Sequence, residues 1–303
     1  MRCILNVILY YEICFKLADK IMRLIEKTAA IVWAALWLWT MPATAAIQEL
    51  QIDGDHGKLS AVLQTPDNIA SYPLVILMHG FTANKNSPLL RQIAENLQQV
   101  GIASLSFDFN GHGQSEGKFQ DMTIPNEIND ARKVYEYVHL LPAVTSVSLL
   151  GHSQGGVVAG MLAGELGTDK IKSLVLMAPA AVLRDNVESG EMFGIKFSTF
   201  FLPPYIEIFG GYKVGRDYLK TARKLPIYET SSRYQGPVLI MHGTADNLVP
   251  YFYSERYHEI YQNSELVLLP DFDHGFTNNI ATPTKIVTDF LVKQLTPQNI
   301  QHQ

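Results

Sequence analysis

Gly151-His152-Ser153-Gln154-Gly155 is the stretch that decides the fold. It follows the apolar run Val147–Leu150 and precedes Val157–Leu166, which reads as a helix. A G-x-S-x-G sequence between strand and helix makes a sharp, strained turn that lifts the serine hydroxyl out of the sheet. Helix and turn amides then face the carbonyl that the hydroxyl attacks. The motif is short, and a plain glycine-rich turn is the competing reading. The strand–turn–helix context favours Ser153 as a nucleophile.

Outward from this turn, short apolar runs alternate with amphipathic stretches. Leu59–Leu63, Leu74–Met78, Ile102–Phe107, Val147–Leu150, Ser173–Met177, Val238–Met241 and Leu266–Leu269 read as strands. Ser87–Val100, Asn126–Leu141, Val157–Leu166, Tyr251–Tyr261 and Thr284–Leu295 read as helices. Near-continuous apolar strands alternating with helices predict a mostly parallel central sheet covered by helices on both faces, hence the α/β class. The alternation breaks from 180 to 234, where Phe193, Phe197, Phe200, Phe201, Tyr205 and Phe209 cluster around Pro203-Pro204. This insertion reads as a small cap over a pocket, or as an excursion whose aromatics bury themselves.

A serine hydroxyl needs a base to take its proton, and the base needs a carboxylate to hold its tautomer. His274 follows the last strand, in Asp271-Phe272-Asp273-His274-Gly275-Phe276. Asp246 follows the strand ending at Met241, in His242-Gly243-Thr244-Ala245-Asp246. Ser153, Asp246 and His274 therefore form a candidate triad in the order Ser…Asp…His. Asp271 and Asp273 are the alternative acids, read here as shaping the loop that carries His274. His79-Gly80-Phe81-Thr82 ends another strand. The amides of Phe81 and Gln154 are the candidate oxyanion hole.

Other features bound the function. The 303-residue chain is 47% hydrophobic with a formal charge of −5 and no basic block, so nucleic acid is not an expected partner. Asp108-Phe109-Asn110-Gly111-His112-Gly113 lacks the Gly-Lys-Ser/Thr of a phosphate loop, and Asp108 and His112 have no third ligand at suitable spacing. The loop reads as structural, and no metal or organic cofactor is expected. His152, His242 and His258 read as turn-packing or surface residues.

Residues 22–45 read as a secretory signal peptide. Arg23 and Lys27 precede the apolar run Ala29–Met41, and Ala43-Thr44-Ala45 gives an Ala-x-Ala exit. Cleavage is expected after Ala45, with an uncleaved anchor as the alternative. Residues 1–21 then read as an upstream extension, translation starting at Met22. Both cysteines, Cys3 and Cys14, precede the cut, so residues 46–303 hold no disulfide, cysteine nucleophile or thiolate metal site. The remaining chain carries a formal charge of −7. The protein is expected to be exported, periplasmic or extracellular, with no stable membrane insertion after cleavage.

These residues resemble the α/β-hydrolases, and more closely the bacterial cinnamoyl/feruloyl esterases. The resemblance covers nearly all of residues 46–303. It rests on His79-Gly80-Phe81-Thr82-Ala83-Asn84-Lys85, Phe107-Asp108-Phe109-Asn110-Gly111-His112-Gly113, Gly151-His152-Ser153-Gln154-Gly155-Gly156 and His242-Gly243-Thr244-Ala245-Asp246. Within the cap, Ala178-Pro179-Ala180-Ala181-Val182-Leu183-Arg184-Asp185, Tyr218-Leu219 and Leu225-Pro226-Ile227-Tyr228-Glu229 are similar too. The resemblance implies an α/β-hydrolase fold with a small cap, and a serine esterase acting on a small-molecule aryl or hydroxycinnamoyl ester. It implies Asp185 and Tyr218 as contacts for ring hydroxyls, unless they brace the cap. Around Met192-Phe193, where these esterases can present a polar contact, this chain is apolar. A general short-chain esterase, a prolyl-oligopeptidase-like peptidase and a silent binding protein on the same fold are the alternatives.

Overall fold

The chain alternates strands and helices along its length, and the computed structural model describes residue 22 and residues 46–296. The expectations placed on residues 1–21 and on the signal segment otherwise fall outside the described residues. The main strands are β1 (Ala46–Asp53), β2 (Lys58–Thr65), β3 (Tyr72–Met78), β4 (Ala103–Phe107), β5 (Val144–His152) and β6 (Leu174–Met177). The insertion adds two short hairpins, β7 (Glu191–Met192) with β8 (Ile195–Lys196), and β9 (Tyr205–Glu207) with β10 (Lys213–Gly215). Strands β11 (Val238–Gly243) and β12 (Ser264–Leu269) complete the sheet. The helices are α1 (Pro88–Gln99), α2 (Ile124–His139), α3 (Gln154–Leu166), α4 (Val182–Ser189), α5 (Arg216–Ala222), α6 (Ile227–Ser231), α7 (Phe252–Ile260) and α8 (Ala281–Leu295).

Eight strands form one sheet in the order β1-β2-β4-β3-β5-β6-β11-β12. From β4 to β12 all neighbours are parallel, while β1 and β2 pair antiparallel at one edge. The reason lies in the strand residues. Leu74, Ile76 and Met78 of β3 enter one core, and Val75 and Leu77 enter the other. The β6 and β11 side chains divide the same way, Leu176 and Ile240 to one face, Val175 and Leu239 to the other. A strand covered on both faces must be apolar throughout, which is why these runs show no polar alternation. Helices α2 and α3 supply the first core, and α1 and α8 the second.

The differences from the sequence reading lie mostly at element ends. Helix α2 begins two residues before Asn126, because the Thr123 side chain accepts the Asn126 amide and Pro125 fits the first turn. Helix α3 starts at Gln154, not Val157, so the glycines expected to form only the turn also make the first helical turn. Strand β1 was absent from the sequence reading: most of its side chains are exposed, and only Ile52 is fully buried, so no apolar face marks it.

The 180–234 insertion leaves between β6 and β11, at the strand ends from which the loops carrying Ser153, Asp246 and His274 also leave. Its aromatics take both of the expected roles. Tyr228 and Tyr234 are buried, whereas Phe193 and Phe209, with buried Tyr218, face a cavity. Among the described residues, no helix is long and apolar enough to cross a membrane.

Candidate active site

Ser153 sits at the junction of β5 and α3 with φ 57 and ψ −122, a left-handed backbone that a side chain rarely adopts. The turn is held from several directions. The Ser153 amide donates to Met177 O at 2.9 Å, and the Ser153 carbonyl accepts from the amides of Gly156 and Ala180 at 2.9 and 3.0 Å. Position 155 must be glycine, because a Cβ there would lie 2.4 Å from the His79 carbonyl oxygen.

The structure brings the three predicted triad residues together. His274 Nε2 is 2.9 Å from Ser153 Oγ, and His274 Nδ1 is 2.6 Å from Asp246 Oδ2. The Asp246 side chain is fully buried, and its other oxygen accepts the amides of Leu248 and Val249, each at 2.8 Å. Burial alone would raise this carboxyl's pKa. The hydrogen bonds from His242 and His274, with the His274 charge, outweigh burial and hold it below the ordinary carboxylate range. An anionic Asp246 fixes the proton of His274 on Nδ1, which leaves Nε2 free to accept from Ser153.

Asp271 and Asp273 do not reach this histidine's ring through any recorded hydrogen bond. Asp273 accepts from the amide of Thr277 at 2.7 Å and from its hydroxyl, and shapes the loop. Asp271 takes a left-handed turn position, φ 64.

The loop after β3 approaches the elbow closely. A Cβ at Gly80 would come within 2.8 Å of the Ser153 Cβ. Thr82 is left-handed at φ 56, and the Ala83 amide closes the turn on the Gly80 carbonyl at 3.1 Å. Neither the Phe81 nor the Gln154 amide is recorded donating to another group among the described residues. Both follow residues of the serine turn's close approach, Gly80 and Ser153, and remain the candidate oxyanion donors.

Three surrounding contacts go beyond the sequence reading. His242 is fully buried, and its Nε2 lies 3.0 Å from Asp246 Oδ2 while Nδ1 meets the Ser254 hydroxyl at 2.7 Å. It orients the acid rather than packing a turn. His152 Nε2 sits 2.8 Å from the His274 carbonyl and so braces the base. The Gln154 amide nitrogen donates to both carboxyl oxygens of buried Glu127, at 2.9 and 2.8 Å, and its oxygen accepts the Tyr218 hydroxyl at 2.9 Å. The i,i+4 spacing of His242 and Asp246 was the available signal for the first. Nothing local in the sequence announces the other two, which join residues far apart in the chain.

A cavity of about 580 Å³ opens on Ser153 and His274. Phe81, Met192, Phe193, Phe209 and Tyr218 give it an aromatic and apolar wall, and Asn186, Ser189 and Asn247 add polar groups. Tyr218 is therefore at the cavity, with its hydroxyl already engaged by Gln154. Asp185 is not among the lining residues: its carboxylate accepts the Tyr253 hydroxyl at 2.7 Å and lies 3.8 Å from Arg184. Of the two cap residues, Asp185 takes the bracing position. Asp108 accepts the Lys85 amide and ammonium at 2.6 and 2.8 Å in a buried ion pair that holds its loop. Among the described residues, no group of three or more His, Cys, Asp or Glu is placed to hold a metal ion.

The buried histidines and acids make opposing contributions to stability. Burial lowers His79 and His152 to about 3, with help from His112 and His274 respectively, and lowers His112 to about 4. Burial raises Glu127 well above its ordinary 4.5 and Asp130 to about 6. Between about pH 6 and 4.5 the unfolded chain binds about three extra histidine protons, while the native chain holds at most two, on Asp130 and Glu127. The difference is at least about one proton, so stability is expected to fall by at least about 1.4 kcal/mol per pH unit on acidification. Near pH 4 the unfolded acids protonate as well, while native His112 begins to protonate, so the slope should steepen by only about half. Above about 6.5 the unfolded histidines are neutral, and this loss of stability on acidification is absent. Urea unfolding across pH 4–8 measures this, and a flat profile from 6 to 4 would contradict it.

The sheet, the strained serine turn and the Ser–His–Asp hydrogen-bond chain define a serine hydrolase of the α/β-hydrolase superfamily. Residues 70–220 match the family described as "Serine aminopeptidase, S33". The structure of Est1E from Butyrivibrio proteoclasticus with ferulic acid bound superimposes with a TM-score of 0.78 at 33% identity, covering 81% of this chain and 98% of that one. Human Protein ABHD12B is 30% identical over 73% of this chain, and the Xenopus tropicalis lysophosphatidylserine lipase ABHD12 is 26% identical over 63%. The chain spans 61% and 47% of the length of those two curated relatives. It belongs to the α/β-hydrolase serine esterase family that includes Est1E.

Proposed function

We propose that the protein hydrolyses carboxylic esters with an aryl or hydroxycinnamoyl acyl group, through an acyl-enzyme on Ser153. The carrying observation is the aromatic-walled cavity that ends at Ser153 Oγ and His274 Nε2. The likeness to an Est1E structure holding ferulic acid supports the same reading. The cavity's volume exceeds what an acetyl group needs, and flat rings fit walls of Phe81, Phe193 and Phe209.

In this mechanism His274 Nε2 takes the Ser153 proton as Oγ attacks the ester carbonyl. The Phe81 and Gln154 amides donate to the resulting oxyanion. The alcohol leaves with the proton from His274, and water repeats the cycle to release the acid. The apolar Met192-Phe193 segment and the engaged hydroxyl of Tyr218 make ring shape, more than ring hydroxyls, the selected feature.

The test is a panel of methyl ferulate, methyl p-coumarate, p-nitrophenyl acetate and a prolyl amide. The aryl-acyl esters are expected to exceed the acetate by about tenfold or more in kcat/KM, about 1.4 kcal/mol of differential transition-state binding. Equal or better acetate turnover would reduce the reading to a general esterase. The match to the aminopeptidase family favours a second reading, a peptidase on the same triad, and preferred cleavage of the prolyl amide would establish it. The protein is further proposed to be exported, with residues 22–45 as signal and residues 46–303 as a single hydrolase domain carrying the 180–234 cap. N-terminal sequencing of the exported chain tests this, and a start upstream of Met22 would refute it.

A further inference from the structure

The cap carries an apolar and basic surface that the hydrolytic site does not use. Phe200 and Phe201 are 86% and 77% exposed, and their rings pack edge to face at 4.8 Å. Two large aromatics standing together in water are costly unless something covers them. They do not sit on a slack loop. The Phe201 amide donates to Ser198 Oγ at 3.0 Å. Exposed Arg223 donates to the Thr199 carbonyl at 2.9 Å, and exposed Arg216 donates to the carbonyls of Leu202 and Pro203 at 3.0 and 3.2 Å. The pair is thus held out between two guanidinium groups, next to Pro203-Pro204.

Charge tells what kind of surface would cover it. Residues 193–224 hold six Lys/Arg against Glu207 and Asp217, a local charge of +4. The chain from Ala46 as a whole carries −7, so the sign is inverted on this one insertion. Exposed Lys220 and Lys224 lie on and just after α5, the helix that also carries Arg216. A second copy of this chain would bring like charge against like. A surface that accepts aromatic rings between cations is an anionic lipid layer, where rings enter the headgroup boundary and Lys/Arg meet the phosphates.

The same insertion also forms the rim of the cavity. Phe193 lies 5.4 Å from Phe81 and 5.2 Å from Phe209, so aromatic contact runs from the cavity wall to the exposed mouth.

We propose that the 193–224 face of the cap, led by Phe200 and Phe201 and flanked by Arg216 and Arg223, docks peripherally on anionic lipid surfaces. This docking is independent of the ester reading.

Vesicle co-sedimentation tests it, using phosphatidylcholine with or without phosphatidylglycerol. The wild type is expected to bind the anionic vesicles about tenfold or more tightly than the neutral ones, and added salt should weaken binding. The double variant Phe200→Glu/Phe201→Glu should lose at least about tenfold. Lys220→Gln/Lys224→Gln should lose about fivefold per charge. Amide hydrogen exchange over 193–212 should slow on the anionic vesicles in the wild type and not in the phenylalanine variant. Near-ultraviolet circular dichroism checks that the variants fold, whatever their turnover. Turnover of a soluble ester should be unchanged in Phe200→Glu/Phe201→Glu, since neither ring lines the cavity. Equal sedimentation of wild type and phenylalanine variant would overturn the proposal. So would equal binding to neutral vesicles, or a vesicle-free dimer that the phenylalanine variant abolishes.

Discussion

Ser153→Ala is expected to lower kcat by about 10⁶ while leaving the fold in place. The loss follows from the bond that cannot form. Oγ is the atom that His274 Nε2 faces at 2.9 Å, and without it there is no acyl-enzyme and no proton for His274 to accept. The residual rate should be that of a carbonyl held against the Phe81 and Gln154 amides, still about 10³–10⁴ above water. Stability should change by less than about 0.5 kcal/mol. The strain at φ 57 arises from the Cβ, which alanine keeps, and the hydroxyl's recorded hydrogen bond is to His274. The measurements are turnover of methyl ferulate and p-nitrophenyl acetate, covalent labelling by a fluorophosphonate, and urea unfolding. Turnover within a hundredfold of wild type would remove Ser153 from the mechanism. Lost labelling with an unchanged unfolding midpoint is the expected pair of results.

The legibility of this site in the sequence has a physical pattern. Ser153, Asp246 and His274 were found because each lies on a loop directly after a strand, and apolar runs announce those strands. Phe81 and Gln154 are candidates on the same ground, as backbone positions next to the strand ends. The contacts that hold these groups were not readable. Glu127, Gln154 and Tyr218 meet across three elements, and His152 meets a carbonyl 122 residues away. Such contacts depend on how helices pack, which local patterns do not encode. The cap marks the same limit. Its aromatic content was plain, yet aromatic character alone does not separate core-buried Tyr228, cavity-facing Phe193 and exposed Phe200. Only burial separates a residue that stabilises from one that selects or docks. The edge strand β1 was missed for the converse reason: it buries too little to leave a pattern.

Asp246→Asn is expected to cost about 10⁴ in kcat, and it separates the acid from its sequence neighbours. The carboxylate receives two amides on Oδ1, from Leu248 and Val249, and two imidazoles on Oδ2, from His274 and His242. An asparagine can keep its oxygen toward the two amides. Its NH2 group then faces His274 Nδ1 at a separation that was 2.6 Å, where two donors cannot both stay. The imidazole must move its proton to Nε2, and in that tautomer it cannot accept from Ser153. The variant therefore holds all three side chains in place and lacks the base. Stability should fall too, by about 1–3 kcal/mol, because His242 Nε2 also loses its charged acceptor within the core. Asp273→Asn is the comparison. Its carboxylate binds only the Thr277 turn in an exposed loop, so turnover should stay within a few-fold of wild type. If Asp246→Asn retained a tenth of the wild-type rate while Asp273→Asn lost it, the acid would have to be reassigned. The hydrogen bonds predict the opposite, since the group buried with two imidazoles is the one whose charge sets the histidine's tautomer.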